Sequence, residues 1–121
     1  MDRQIFPRPV AWIGSSKKDF ASFPEEVQAE MGYALYLAQT GQRHRHTKML
    51  KGLPSGTLEV LVTSRGDTYR MIYTIRFPSV VFVLHAFQKK SKSGIATPKF
   101  EMDIVRQRLR DAEEWMKGVG R

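Results

Sequence analysis

An α+β fold, with a small twisted antiparallel sheet held between helices near the two ends of the chain, is what the sequence predicts. Apolar residues recur at helical spacing over residues 24–40 and again over 97–118. Between 57 and 87 they alternate instead, and short turn dipeptides cut that region into strand-sized runs. The predicted order is β-α-β-β-β-α, in one domain spanning 1–121.

Each element has a local cause. Pro7-Arg8-Pro9 stiffens an N-terminal arm, and Val10-Ala11-Trp12-Ile13-Gly14 follows as a short strand. Ser15 or Ser16 then caps a first helical turn. Pro24 suits a first helical position, Glu25 and Glu26 complement the positive helix end, and Val27, Met31, Ala34, Leu35 and Ala38 form the apolar stripe up to Gly41. Strands are expected over 57–64, 68–77 and 80–87, joined at Gly66-Asp67 and Pro78-Ser79. Thr97-Pro98 starts the last helix, whose stripe is Met102, Val105, Leu109, Ala112 and Met116, ending near Gly118.

Composition restricts the function. The chain has 121 residues, 41% of them hydrophobic, which is enough for a packed core. It has no cysteine, so a disulfide framework, a thiolate zinc site and a cysteine nucleophile are all excluded. No apolar run approaches the roughly 20 residues of a membrane span, and the N-terminus lacks the apolar core of a signal peptide; a cytoplasmic protein is expected. Twenty Lys and Arg against twelve Asp and Glu give a net charge of +8, which points to a polyanionic or acidic partner. Most of the surplus lies in two segments, 42–52 and 88–110.

Strand pairing brings some of these cations together. With Pro78-Ser79 as a two-residue loop, Ile72 faces His85 and Arg70 faces Phe87; with Gly66-Asp67 as another, Arg65 joins the same face. That surface carries guanidinium, imidazole and aromatic groups. The opposite face receives Tyr69, Met71, Tyr73, Ile75, Phe77, Val80, Phe82, Leu84 and Ala86 as core. Arginine can bind phosphate oxygens in pairs and stabilise charge growing at phosphorus, and histidine exchanges protons near neutral pH. Lys89, Lys90 and Lys92 follow the last strand, where a nucleic-acid backbone would run. RNA supplies its own nucleophile, the 2′-hydroxyl, so a site of this kind needs no metal. His44 and His46 read as solvated loop residues, and no cofactor or metal site is expected.

Several strings carry a family resemblance: Leu50-Lys51-Gly52-Leu53, Gly66-Asp67-Thr68-Tyr69-Arg70-Met71-Ile72-Tyr73-Thr74, Val83-Leu84-His85-Ala86-Phe87-Gln88-Lys89-Lys90-Ser91-Lys92 and Gly94-Ile95-Ala96-Thr97-Pro98-Lys99. With Pro24-Glu25-Glu26-Val27 and Gly32-Tyr33-Ala34-Leu35, they resemble the phage-derived branch of HigB-like toxins in the RelE/ParE superfamily. The resemblance implies a RelE-like β-α(α)-β-β-β-α fold, with the sheet packed against N-terminal helices and a C-terminal helix. It implies a type II toxin–antitoxin component, a metal-independent mRNA endonuclease acting on the ribosome and neutralised by a helix-turn-helix antitoxin. On this sequence it implies functional roles for Arg70, Lys48, Lys51, Lys89 and Lys90; together with the strand faces and the lysine run, the candidate catalytic residues are Arg70, His85 and Lys90, and the candidate RNA contacts are Lys48, Lys51, Arg65, Lys89 and Lys92. RelE and HigB relatives place a Tyr or His near the C-terminus for proton transfer; here Trp115-Met116-Lys117 offers neither, so no general base is assigned. His85 reads equally as a proton-transfer group and as a packed histidine. A basic RNA-binding module without catalysis and a phage assembly protein are the two alternative readings.

Overall fold

The computed structural model describes residues 6–89 and 97–119. Its elements are β1 (Val10–Trp12), α1 (Ser16–Ala21), α2 (Glu25–Gln39), β2 (Thr47–Met49), β3 (Thr57–Ser64), β4 (Asp67–Thr74), β5 (Val81–Lys89) and α3 (Lys99–Val119). The strands form one sheet in the order β1-β5-β4-β3-β2. β1 runs parallel to β5, and the other neighbours are antiparallel. The expected α+β architecture is therefore present, with β2 as a strand that the sequence does not predict. Lys90 and Lys92 lie outside the described residues.

Helices cover both faces of the sheet. On one side the stripe of α2 packs Val27, Met31, Ala34, Leu35 and Ala38 against Leu58, Val60, Met71, Tyr73, Val81 and Val83. On the other, Val105, Leu109 and Ala112 of α3 meet Ile13, Ile72, Phe82 and Leu84. Burying each large aliphatic side chain stabilises by about 1.5–3 kcal/mol, so the face expected to be polar is largely a second core. Arg8 fastens the N-terminal arm over the loop between β4 and β5, donating through Nη1 to the carbonyls of Ile75 and Phe77.

Two details of the hairpins differ from the sequence reading. Arg70 does face Phe87 and Ile72 does face His85, but β4 stops at Thr74 and β5 starts at Val81. The connection is thus longer than Pro78-Ser79. A bulge restores the register: Tyr73 pairs with Val83, leaving Leu84 as the extra residue. Bulges of this sort change strand parity. Phe77, Val80, Phe82 and Leu84 consequently join the α3 side rather than the side of Tyr69, Met71, Tyr73 and Ala86.

The β3–β4 turn is Arg65-Gly66, because Ser64 pairs with Asp67. Both turn residues have positive φ, 52° at Arg65 and 84° at Gly66, as a tight primed hairpin turn requires. Arg65 therefore does not share the Arg70 face. Its side chain is 90% exposed and its Nε lies 3.9 Å from Glu26 of α2. Asparagine tolerates positive φ better than arginine does; Arg65→Asn is expected to raise stability by a few tenths of a kcal/mol, up to about 1, in urea unfolding. A loss of stability would show that the Arg65 side chain, not the turn backbone, matters there.

Candidate functional site

A carboxylate organises one end of the α3-facing surface. Glu59, in the middle of β3, is fully buried, at 0% exposure. An isolated ionised carboxylate in that position would be costly, and three donors surround it. Arg70 Nη1 of β4 donates to Oε1 at 3.0 Å, Thr97 Oγ1 at the start of α3 donates to Oε2 at 2.7 Å, and Lys48 Nζ of β2 stands 3.7 Å from Oε1. Lys48 is the register partner of Glu59, which explains the meeting of β2 and β3 charges.

Arg70 is itself only 2% exposed. It lies on the expected face but beneath the start of α3, not in open solvent. Its Nε has no hydrogen-bond partner among the described residues. Lys48 remains 53% exposed. With Lys51 it lines a cleft of about 300 Å³ that also includes Leu50, Thr97 and Met102. Lys89 closes β5 nearby. Desolvation lowers its pKa from the ordinary lysine value, and the charges of Arg70 and Lys48 lower it further, while Glu59 partly opposes them. Lys48, Lys51, Arg70 and Lys89, from four points of the sequence, are thus brought to one end of the sheet.

His85 belongs to a neighbouring network. It is 5% exposed and stacks on Phe87 with ring centroids 4.9 Å apart. Its Nε2 meets Glu101 Oε1 at 2.7 Å, and its Nδ1 lies 3.3 Å from Arg108 Nη1. The pairing assigns the Nε2–H tautomer, with Nδ1 accepting from Arg108. Arg108 also donates to the Leu84 carbonyl and to Ser15 Oγ, which in turn donates to Asp19. Gly14 makes room for this: a Cβ there would stand 2.7 Å from Arg108 Nε, on a backbone with φ of +59°. Burial holds the His85 pKa below the ordinary histidine value despite the raising effect of Glu101.

Nothing in the periodicity or the motifs singles out Glu59, Glu101 or Arg108. A signal for the first exists: a lone carboxylate inside the apolar run Thr57-Leu58-Glu59-Val60-Leu61-Val62 must be paired. His44 differs from its reading too. It is buried, with Nε2 3.2 Å from Glu30 and its ring edge-on to Tyr33, whereas His46 is exposed. No helix among the described residues is long and apolar enough to cross a membrane.

These features define a small α+β domain with helices on both sheet faces and a lysine-rimmed cleft at one end. Residues 18–110 match the family of phage-derived Gp49-like proteins (DUF891), and the chain belongs to that family. Among solved structures, it is similar to a chain of the RelBE2 toxin–antitoxin complex of Mycobacterium tuberculosis, with 21% identity and a TM-score of 0.47; the likeness covers 69% of this chain and 99% of that one. No curated protein matches the chain.

Two outcomes follow from the buried charges. Glu59→Ala leaves the Arg70 guanidinium unpaired and is expected to cost roughly 3–5 kcal/mol, lowering the melting temperature by more than about 10 °C. Replacing both partners, Glu59→Leu with Arg70→Met, should recover most of that loss, and a double variant no better than the single one would show that the pair is not the cause. Because the folded chain resists protonating His85, the unfolded chain binds that proton first as pH falls below 6.5. The residue's contribution to stability is complete above that pH and is lost below it. Urea midpoints should therefore fall between pH 7 and 5 with a slope that His85→Gln reduces; an unchanged slope would assign it to other groups.

Proposed function

We propose that this protein is the toxin of a type II toxin–antitoxin pair, a metal-independent endoribonuclease that cuts mRNA on the ribosome and is neutralised by a helix-turn-helix antitoxin in the cytoplasm. The observation that carries this reading is the placing of the half-exposed Lys48 and of Lys51 in one cleft beside the Arg70–Glu59 pair, with Lys89 within electrostatic reach of Lys48 and of that pair, in a chain of +8 overall. The strings that resemble HigB-like toxins include Lys51, Arg70 and Lys89, and the Gp49-like family match spans all of these positions.

In the proposed reaction the 2′-hydroxyl of the RNA gives its proton to solvent water and attacks the adjacent phosphorus while the bond to the 5′-oxygen breaks, leaving a 2′,3′-cyclic phosphate and a 5′-hydroxyl. Lys48 and Lys51 hold the phosphate chain and offset the charge that builds at phosphorus. Lys89 donates the proton to the departing 5′-oxygen, since its neighbours make its ammonium a better acid than an ordinary lysine. Arg70 adds fixed positive charge from below, kept in place by Glu59. His85 holds Glu101 and Arg108 rather than meeting the RNA, as both its ring nitrogens are engaged. Lys90 and Lys92 extend the cationic track in sequence, and Arg65, at its turn beside Glu26, is not part of the site.

A second reading has its own support: with Arg70 buried in an ion pair and His85 fully engaged, the chain is a basic RNA-binding module that stalls translation without cutting. Induction in a bacterial host, followed by mapping of mRNA 5′ ends, separates the two. Cleavage predicts new ends within coding regions that persist in chelator with purified components, and a loss of roughly 10²–10³-fold in Lys89→Ala. Growth arrest without new ends would favour the binding module and overturn the nuclease. The proton donor also fixes a pH response. Cleavage should decline as pH rises through the lowered Lys89 value, and Glu59→Gln, which removes a charge that raises that value, should shift the decline to lower pH.

A further inference from the structure

A second concavity adjoins the lysine cleft. β1 covers β5 only at Val81–Val83, and beyond it β5 runs between α1 and α3 beside a groove of about 610 Å³. Its walls are aromatic. Phe87 stacks on His85, Tyr69 packs on Phe23 with centroids 4.9 Å apart, and Phe100 projects with 71% of its surface exposed. Its polar groups differ in character from those of the cleft. Asp19 and Glu101 are carboxylates, and the Arg108 guanidinium is already bonded to Leu84, His85 and Ser15. Two carboxylates beside one committed cation repel phosphate. They suit a flat, neutral group whose N–H donors can reach a carboxylate and whose face can lie on an aromatic ring.

The two concavities are neighbours. Phe87, in the groove wall, is the register partner of Arg70, whose partner Glu59 is bonded to Thr97 and lies beside Lys48, both in the cleft wall. Thr97 and Glu101, one helical turn apart at the start of α3, reach into the cleft and the groove respectively. A nucleotide laid across this point places its phosphate among the lysines and its base among the rings.

We propose that the groove between α1, β5 and α3 binds one unstacked nucleobase carrying an exocyclic amine, selecting adenine, guanine or cytosine over uracil, beside a phosphate held at Lys48 and Lys89. The amine donates to Asp19 or Glu101, and the ring lies against Phe100. Uracil offers no amine and is the weakest occupant. The inference rests on RNA as the partner but not on cleavage, so it is tested by binding alone.

Nine-residue RNA oligomers at low salt, without ribosomes and with chelator present, are compared by fluorescence anisotropy: all-uridine against oligomers in which the central base is A, G or C. One amine-bearing base is expected to raise affinity by about tenfold, roughly the worth of one hydrogen bond to a charged acceptor. Phe100→Ala, an exposed position that the fold does not need, should reduce that advantage to under twofold. Lys89→Ala should weaken every oligomer by the same factor. Equal affinity for all oligomers, no binding at all, an advantage that survives Phe100→Ala, or one that survives Asp19→Asn combined with Glu101→Gln would overturn the proposal. Base selection without mRNA cleavage would leave the groove standing and remove the nuclease; cleavage without base selection would do the reverse.

Discussion

The buried pair between Glu59 and Arg70 is the constraint around which this end of the molecule is arranged. Neither charge is tolerable alone in that position, and each is placed by a different strand. The carboxylate also collects Thr97 and Lys48. Four segments, β2, β3, β4 and the entry to α3, therefore have their relative positions fixed by one side chain. The same carboxylate moderates the repulsion among Arg70, Lys48 and Lys89. Without a counter-charge, bringing that many cations to one place would work against folding.

The bulge in β5 does comparable work for the other half of the face. By admitting Leu84 as an extra residue, it turns Phe82 and Leu84 toward α3 while keeping His85 and Phe87 on that side as well. The apolar pair supplies the floor on which Val105 and Leu109 pack. The imidazole and phenyl rings beyond it border the groove. A regular strand would have sent Leu84 to one face and His85 to the other.

Much of this was legible in the residues. The limits of β3, the α2 stripe and the α3 stripe follow from periodicity, because in each a buried face imposes a regular spacing on the chain. The facing of Arg70 and Phe87 was also readable, although through compensating differences: a longer connection than Pro78-Ser79 and a bulge that absorbs the change. What periodicity cannot carry is pairing between distant segments. β2 has only three residues, too few for a pattern, and its place is set by β3. Glu59 gains its meaning from Arg70, Lys48 and Thr97, none of them near it in sequence. The sequence leaves the register at Arg65 open by two positions, because both Arg65-Gly66 and Gly66-Asp67 make acceptable turns and the choice depends on which residue accepts positive φ. His44 looked solvated because its loop is polar; Glu30 and Tyr33, which enclose it, come from α2.

The sheet is bordered on each side by a strand of three residues, β1 at one margin and β2 at the other. Such short margins give another molecule little unpaired backbone to extend. Growth of the sheet from β1 or β2 themselves is thereby limited to a ladder of about three residues. A protein this basic can then meet an oppositely charged partner without polymerising along those two strands.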